Sequence, residues 1–190
     1  MRAFRWLFLT SAAVLAVAVA ASCRSEQAAP AAQGPTPVGT TREIMHGIVE
    51  YNAFKIFNSV AVVVTAEGTQ EKQPETDEEW DDVLHAALAL SESPNLLMTP
   101  GRRISAPADE DTAAGPDDLT PRQIQQKIDA NRDLWLKHVT ELQNVGKEVI
   151  EIVNARNAPA LFEVGEKIDM VCENCHLEFW YPEAGASPAP

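Results

Sequence analysis

The residues in this sequence best suited to chemistry are Cys172-Glu173-Asn174-Cys175-His176. Each thiol can add across one vinyl group of a porphyrin and fix the ring beside the peptide. The imidazole that follows then lies close enough to bind the iron. This spacing is the attachment signature of a c-type haem. On a helix, Cys172, Cys175 and His176 share one face. Three other readings use the same residues. One is a buried cysteine pair beside a surface histidine. A second is a redox dithiol, which expects a strand–helix alternation that the sequence lacks. The third is a zinc site, which needs two more ligands; only His46, His85 and His138 remain, with no second cysteine pair. An export signal at the other end of the chain favours haem attachment.

That signal occupies residues 1–22. Arg2 and Arg5 form a basic start, and the apolar run from Trp6 to Ala21 is short and alanine-rich, which suits a cleaved leader rather than a permanent span. Ala20-Ala21-Ser22 before Cys23 resembles a bacterial lipobox, in which the cysteine is lipidated and becomes the new N-terminus. Ordinary cleavage near Ala21 or Ser22, leaving a free thiol, is the alternative. Residues 23–40 are rich in Ala, Pro, Gly and Gln and are expected to form a flexible tether. Residues 182–190 are expected to form a disordered tail. Of the three cysteines, two serve the haem and Cys23 serves the anchor, so none is left for a structural disulfide.

The net charge is −13, and removal of the leader makes it two units more negative. Such a surface disfavours nucleic acid and anionic membranes as partners, and it suits either plain solubility or a partner with a basic docking face. Residues 41–181 are enough for one sizeable core of roughly 130–140 residues.

The elements that must position the pentapeptide read as helices. The first is expected from about Thr41, as N-cap, to Thr65, with Met45, Val49, Ala53, Ile56, Val60 and Val63 on one face. Its β-branched end, Val60 to Thr65, has strand propensity. The second opens at the capping box Thr76-Asp77-Glu78-Glu79 and buries Trp80, Val83, Leu84, Ala87 and Leu90, stopping before Pro100-Gly101. Residues 99–119 form a long connection, in which Arg102 and Arg103 are either solvated or available to haem propionates. Thr120-Pro121 starts a short helix to about Asp129. A long helix follows from Asn131 to Asn154, with Trp135, Val139, Leu142, Val145, Val149 and Val153 inward. The last helix starts at Asn157 and Pro159, and its stripe is Leu161, Val164, Ile168, Val171, Cys172, Cys175 and Phe179. The expected fold is an all-α, antiparallel up-down-up-down four-helix bundle with one covalent haem on the last helix.

With the haem pentapeptide on a C-terminal helix, followed by Leu177-Glu178-Phe179, and with the Arg42…Met45 start of the first helix, residues 41–181 resemble the cytochrome c′ family. The resemblance implies a four-helix bundle in which Cys172 and Cys175 hold haem c and His176 is the proximal iron ligand. Many family members carry arginine four residues after that histidine; here the position is Trp180. Members divide between five-coordinate haems that bind small gases and low-spin haems with methionine as sixth ligand.

The expected function is single-electron transfer outside the cytoplasm by an exported, membrane-tethered cytochrome, not an enzyme, serving an unidentified redox partner. No nucleophile, base and orienting group stand in a catalytic pattern. A nitric oxide- or carbon monoxide-binding haem protein is one alternative, and a non-haem interaction lipoprotein is another. Met45 is the expected sixth ligand, because a haem on the last helix faces the first. His46 is rotated towards the edge of that face and ranks second. Tyr51 and Phe54 fall off the inner face and could mark a homodimer surface.

Overall fold

The computed structural model describes residues 34–181. The leader, Cys23, most of the tether and the 182–190 tail lie outside the described residues. The described chain is mostly helical, with one two-stranded antiparallel sheet.

The first helical stretch has three parts: α1 (Thr41–Ile44), a π-helical turn (Met45–Glu50) and α2 (Tyr51–Phe57). Its N-cap is Thr40, not Thr41. The Thr40 hydroxyl accepts from the Glu43 N–H at 3.2 Å, and the Glu43 carboxylate accepts from the Thr40 N–H at 2.7 Å. Glu43 lies three residues after Thr40, and this reciprocal spacing selects the cap. Thr41 is buried instead, and its N–H donates to the Arg103 carbonyl.

The helix expected to reach Thr65 ends at Phe57. Residues Ala61–Thr65 form β1 and pair with β2 (Gly68–Lys72), in register Ala61↔Lys72 to Thr65↔Gly68. The run of valines prefers the pleated backbone, and Gly68, at φ +133°, supplies a conformation that other residues rarely adopt. Val60 remains buried, but Val63 is half-exposed, so it does not belong to the inner face with Met45. Lys72 Nζ ties the hairpin back to the Asn58 carbonyl at 2.6 Å.

The remaining helices follow the expected spacing. They are α3 (Asp77–Leu97), α4 (Pro121–Ala130), α5 (Arg132–Asn154) and α6 (Ala158–Phe179). Thr76 with Glu79 and Thr120 with Gln123 form capping boxes, and the Asn157 side chain caps α6. Pro94 sits inside α3 and leaves the Leu90 carbonyl without its helical donor. Ser93 Oγ donates to that carbonyl at 2.8 Å, which satisfies it.

Neighbouring helices run in opposite directions. Trp135 Nε1, early in α5, donates to the Leu97 carbonyl at the end of α3 at 3.4 Å, while Arg156, just past α5, pairs with Asp77 at the start of α3. Lys167 of α6 pairs with Glu148 of α5. Phe57, at the end of α2, lies beside Gly165 in the first half of α6. The buried core between the helices contains Val49, Ile56, Trp80, Leu90, Trp135, Val149, Leu161, Ile168 and Phe179, so the expected stripes face inward in α3, α5 and α6, and in the first helical stretch as far as Ile56.

The 98–120 connection is pinned to the rest of the chain. Its Arg103 and Ile104 carbonyls accept from the Thr41 and Arg42 N–H groups at 2.8 and 3.1 Å, which satisfies the open donors at the start of α1. Ile104 and Ser105 are buried. Arg102 donates to the Leu96 and Gly39 carbonyls, and Arg103 pairs with Glu110.

Gly146 marks a close approach of α5 to α3. A Cβ there would come within 2.8 Å of the Ser91 Cα. Alanine normally stabilises a helix interior relative to glycine by about 1 kcal/mol. Overpacking against backbone costs about 1–3 kcal/mol and should reverse the sign. Gly146→Ala is therefore expected to lower the urea midpoint, and an unchanged or raised midpoint would show that α3 and α5 can part at no cost.

Candidate functional site

Cys172, Cys175 and His176 all line one cavity of about 310 Å³. Three groups of residues form its walls. The last helix gives Asp169, Val171, Cys172, Cys175, His176 and Trp180. The first helical stretch gives Arg42, Met45, His46, Val49, Glu50 and its apolar neighbours as far as Phe57. Leu97, with His138, Val139 and Leu142 of α5, closes the third side. The interior is apolar, and the charged side chains Arg42, Glu50 and Asp169 belong to partly or fully exposed residues.

The position of the pentapeptide follows from α6. Phe179 is fully buried, edge-on to Trp135 at 5.5 Å and to His138 at 6.1 Å. Cys175 and Cys172 lie one and two turns before it, so the same helical face carries them into the cavity. His176 lies three residues before Phe179, with Trp180 at 5.8 Å and Tyr181 at 6.5 Å beside its ring.

Electrostatics keeps these groups neutral. Burial pushes the Cys172 thiol up to about 11, with Asp169 and Glu173 adding to the shift. Burial pushes Cys175 up to about 12, helped by Cys172, Glu141 and Glu178. Burial lowers the pKa of His176, against the opposing pull of Glu173 and Asp118. A neutral imidazole is the form that binds metal.

Two features of the cavity were not anticipated from the sequence. The first is the π-helical turn Met45–Glu50, which places Met45, His46, Val49 and Glu50 together on the wall. Such turns are rare and concentrate at functional sites. The second is His138. Its Nδ1 is buried and makes no hydrogen bond among the described residues, although Glu141 Oε2 lies 3.3 Å away. His138 stands three residues after Trp135 and four before Leu142, so the helical period could have marked it. The sequence pattern alone holds no comparable signal for the π turn.

Met45 lines the cavity and packs against the buried core. His46 lines it too. Arg102 and Arg103 do not, whereas Arg42 does. Among the described residues, no three His, Cys, Asp or Glu side chains converge on one point as a metal-ion cage, and Cys172 and Cys175 are free thiols. The residues therefore fit a planar apolar group better than a bare ion: two thiols, a neutral imidazole, apolar walls and one buried nitrogen lacking a partner. Among the described residues no helix is long and apolar enough to cross a membrane.

Comparison with family models, with curated proteins and with solved structures finds no match.

The raised thiol pKa values have a measurable consequence while both cysteines are free. An unfolded thiol ionises near 9, whereas the folded thiols hold their protons to about 11 and 12. The folded state thus binds more protons above pH 9, and stability should fall as pH rises through the window from 9 to 12. At pH 8 both thiols should alkylate slowly in the native chain and quickly in urea. Equal rates in the two states would contradict the burial described here.

Proposed function

We propose that residues 41–181 form a cytochrome c′-like antiparallel four-helix bundle that carries one covalent haem c and transfers single electrons outside the cytoplasm. The observation that carries this reading is the convergence of two thiols and a neutral imidazole on one apolar cavity between helices. The alternating helix directions support the bundle. The hairpin β1–β2 has no role in it.

In this reading Cys172 and Cys175 would hold the haem through two thioether links, and His176 would be the residue that ligates its iron. The haem would supply a one-electron couple at its iron. The chain's part is to hold it, keep water away and set its potential through ligation and low local dielectric. Val49, Ala53, Phe57, Val139 and Leu142 form the apolar wall. The orphaned Nδ1 of His138 and the guanidinium of Arg42 are the groups suited to the acidic edge of the ring. Met45 and His46, which line the same cavity from the first helical stretch, are the side chains that would be available as a further iron ligand.

We further propose that Cys23 is lipidated and tethers the domain in the periplasm. Stable anchoring takes more than one acyl chain, which a bacterial lipoprotein provides. Native protein should then partition into detergent, and Cys23→Ser should not. A mature N-terminus that excludes Cys23 would reject this tether.

Haem attachment is tested by mass. Protein made with a haem-attachment system should gain one haem and keep it through acid denaturation. Cys172→Ser with Cys175→Ser should abolish the gain. Haem that extracts freely from the parent would falsify covalent attachment. Carbon monoxide then separates electron carriage from gas binding, since rapid binding to the reduced parent protein would favour the gas-binding alternative.

A further inference from the structure

His46 carries an arrangement that Met45 lacks. Its Nδ1 is 2.8 Å from Glu50 Oε2, four residues on. An ionised carboxylate can only accept, so Nδ1 is the donor and holds the proton. In the neutral ring, this tautomer leaves the lone pair on Nε2. Metal-ligating histidines take this form, with the second nitrogen donating to a carboxylate that fixes the tautomer and raises ligand basicity.

The backbone that carries the pair is the π-helical turn Met45–Glu50, and both His46 and Glu50 line the cavity that Cys172, Cys175 and His176 also line. They stand at its mouth, with side chains 65% and 50% exposed. Met45 lines the same cavity but is partly buried and packed against the core, where a methionine serves as flexible filler.

We propose that His46, oriented by Glu50, is the sixth iron ligand of the haem held by Cys172, Cys175 and His176, and that Met45 is a packing residue. This inference rests on the haem reading above. The Nε2 lone pair forms the bond to iron, no proton leaves, and the Nδ1–H stays on its carboxylate. His46 would thus be the first-helix counterpart of His176, making the iron bis-histidine ligated. Two imidazoles leave the iron easier to oxidise than an imidazole and a thioether would. Glu50 acts through His46 and is a positioning residue.

The experiment uses the haem-loaded protein. Mass after acid denaturation first establishes attachment in the parent and in each variant. Electron paramagnetic resonance and near-infrared magnetic circular dichroism of the ferric forms then report spin state and ligand type. The parent should be low-spin and lack the sulfur-to-iron charge-transfer band of methionine-ligated haem. Met45→Leu should keep the parent spectrum. His46→Ala should lose the low-spin signal and, once reduced, bind carbon monoxide faster. Glu50→Gln should stay low-spin with a higher reduction potential, because the imidazole loses its anionic partner. Three outcomes overturn the assignment of His46 while leaving the haem reading intact: a high-spin parent, a sulfur charge-transfer band in the parent, or a low-spin signal that survives His46→Ala. A parent protein without covalent haem would overturn both. His46 and Glu50 are exposed side chains, so their variants should fold, and far-ultraviolet circular dichroism checks this.

Discussion

The contact of Phe179 with Trp135 and His138 fixes the rotation of the last helix, and the candidate site depends on that rotation. Phe179 meets each of the other two rings edge to face, a geometry that adds to the free energy of burial. Trp135 is itself anchored to the end of α3 through the Leu97 carbonyl. With Phe179 locked, Cys175, Cys172 and Ile168 must follow on the same side of α6. Ile168 closes the core, and the two thiols open onto the cavity. A rotation of α6 that exposed the thiols would also pull Phe179 out of the core, so packing and site geometry are enforced by the same side chain.

The opposite wall is fixed in another way. The start of α1 lies beside the 98–120 connection, whose Arg103 and Ile104 carbonyls take the first N–H donors of the helix. At the other end, the valine-rich hairpin stops the helix at Phe57. Between these two limits the backbone opens into a π turn. Its effect on the cavity is direct, since Met45, His46, Val49 and Glu50 are presented to one space. Arg102 and Arg103 are consumed in tying the connection down, and the guanidinium left at the cavity is that of Arg42.

The charge distribution fits this division of labour. The chain is strongly acidic, yet the cavity wall is apolar and burial holds both thiols and the imidazole neutral. Low dielectric around the cavity strengthens any metal–ligand electrostatics there and makes an unpaired polar atom costly. His138 Nδ1 is such an atom.

Much of the helical architecture was legible in the sequence, because its signals are local. Capping boxes at Thr76 and Thr120, the proline at position 121 and the apolar stripes of α3, α5 and α6 each belong to a single segment. The same periodicity put Cys172, Cys175 and His176 on one face. What the sequence could not decide depends on segments far apart in the chain. The end of the first helix at Phe57 rather than Thr65 is the exception, because the strand partner Gly68–Lys72 follows within a few residues. The π turn, the pinned connection, the His46–Glu50 pair at a shared cavity and the orphaned nitrogen of His138 all arise where helices meet. Helical period records which side of a segment is apolar. Only tertiary packing decides which side chains of different segments face the same space, because that choice is made by contacts between residues a hundred positions apart.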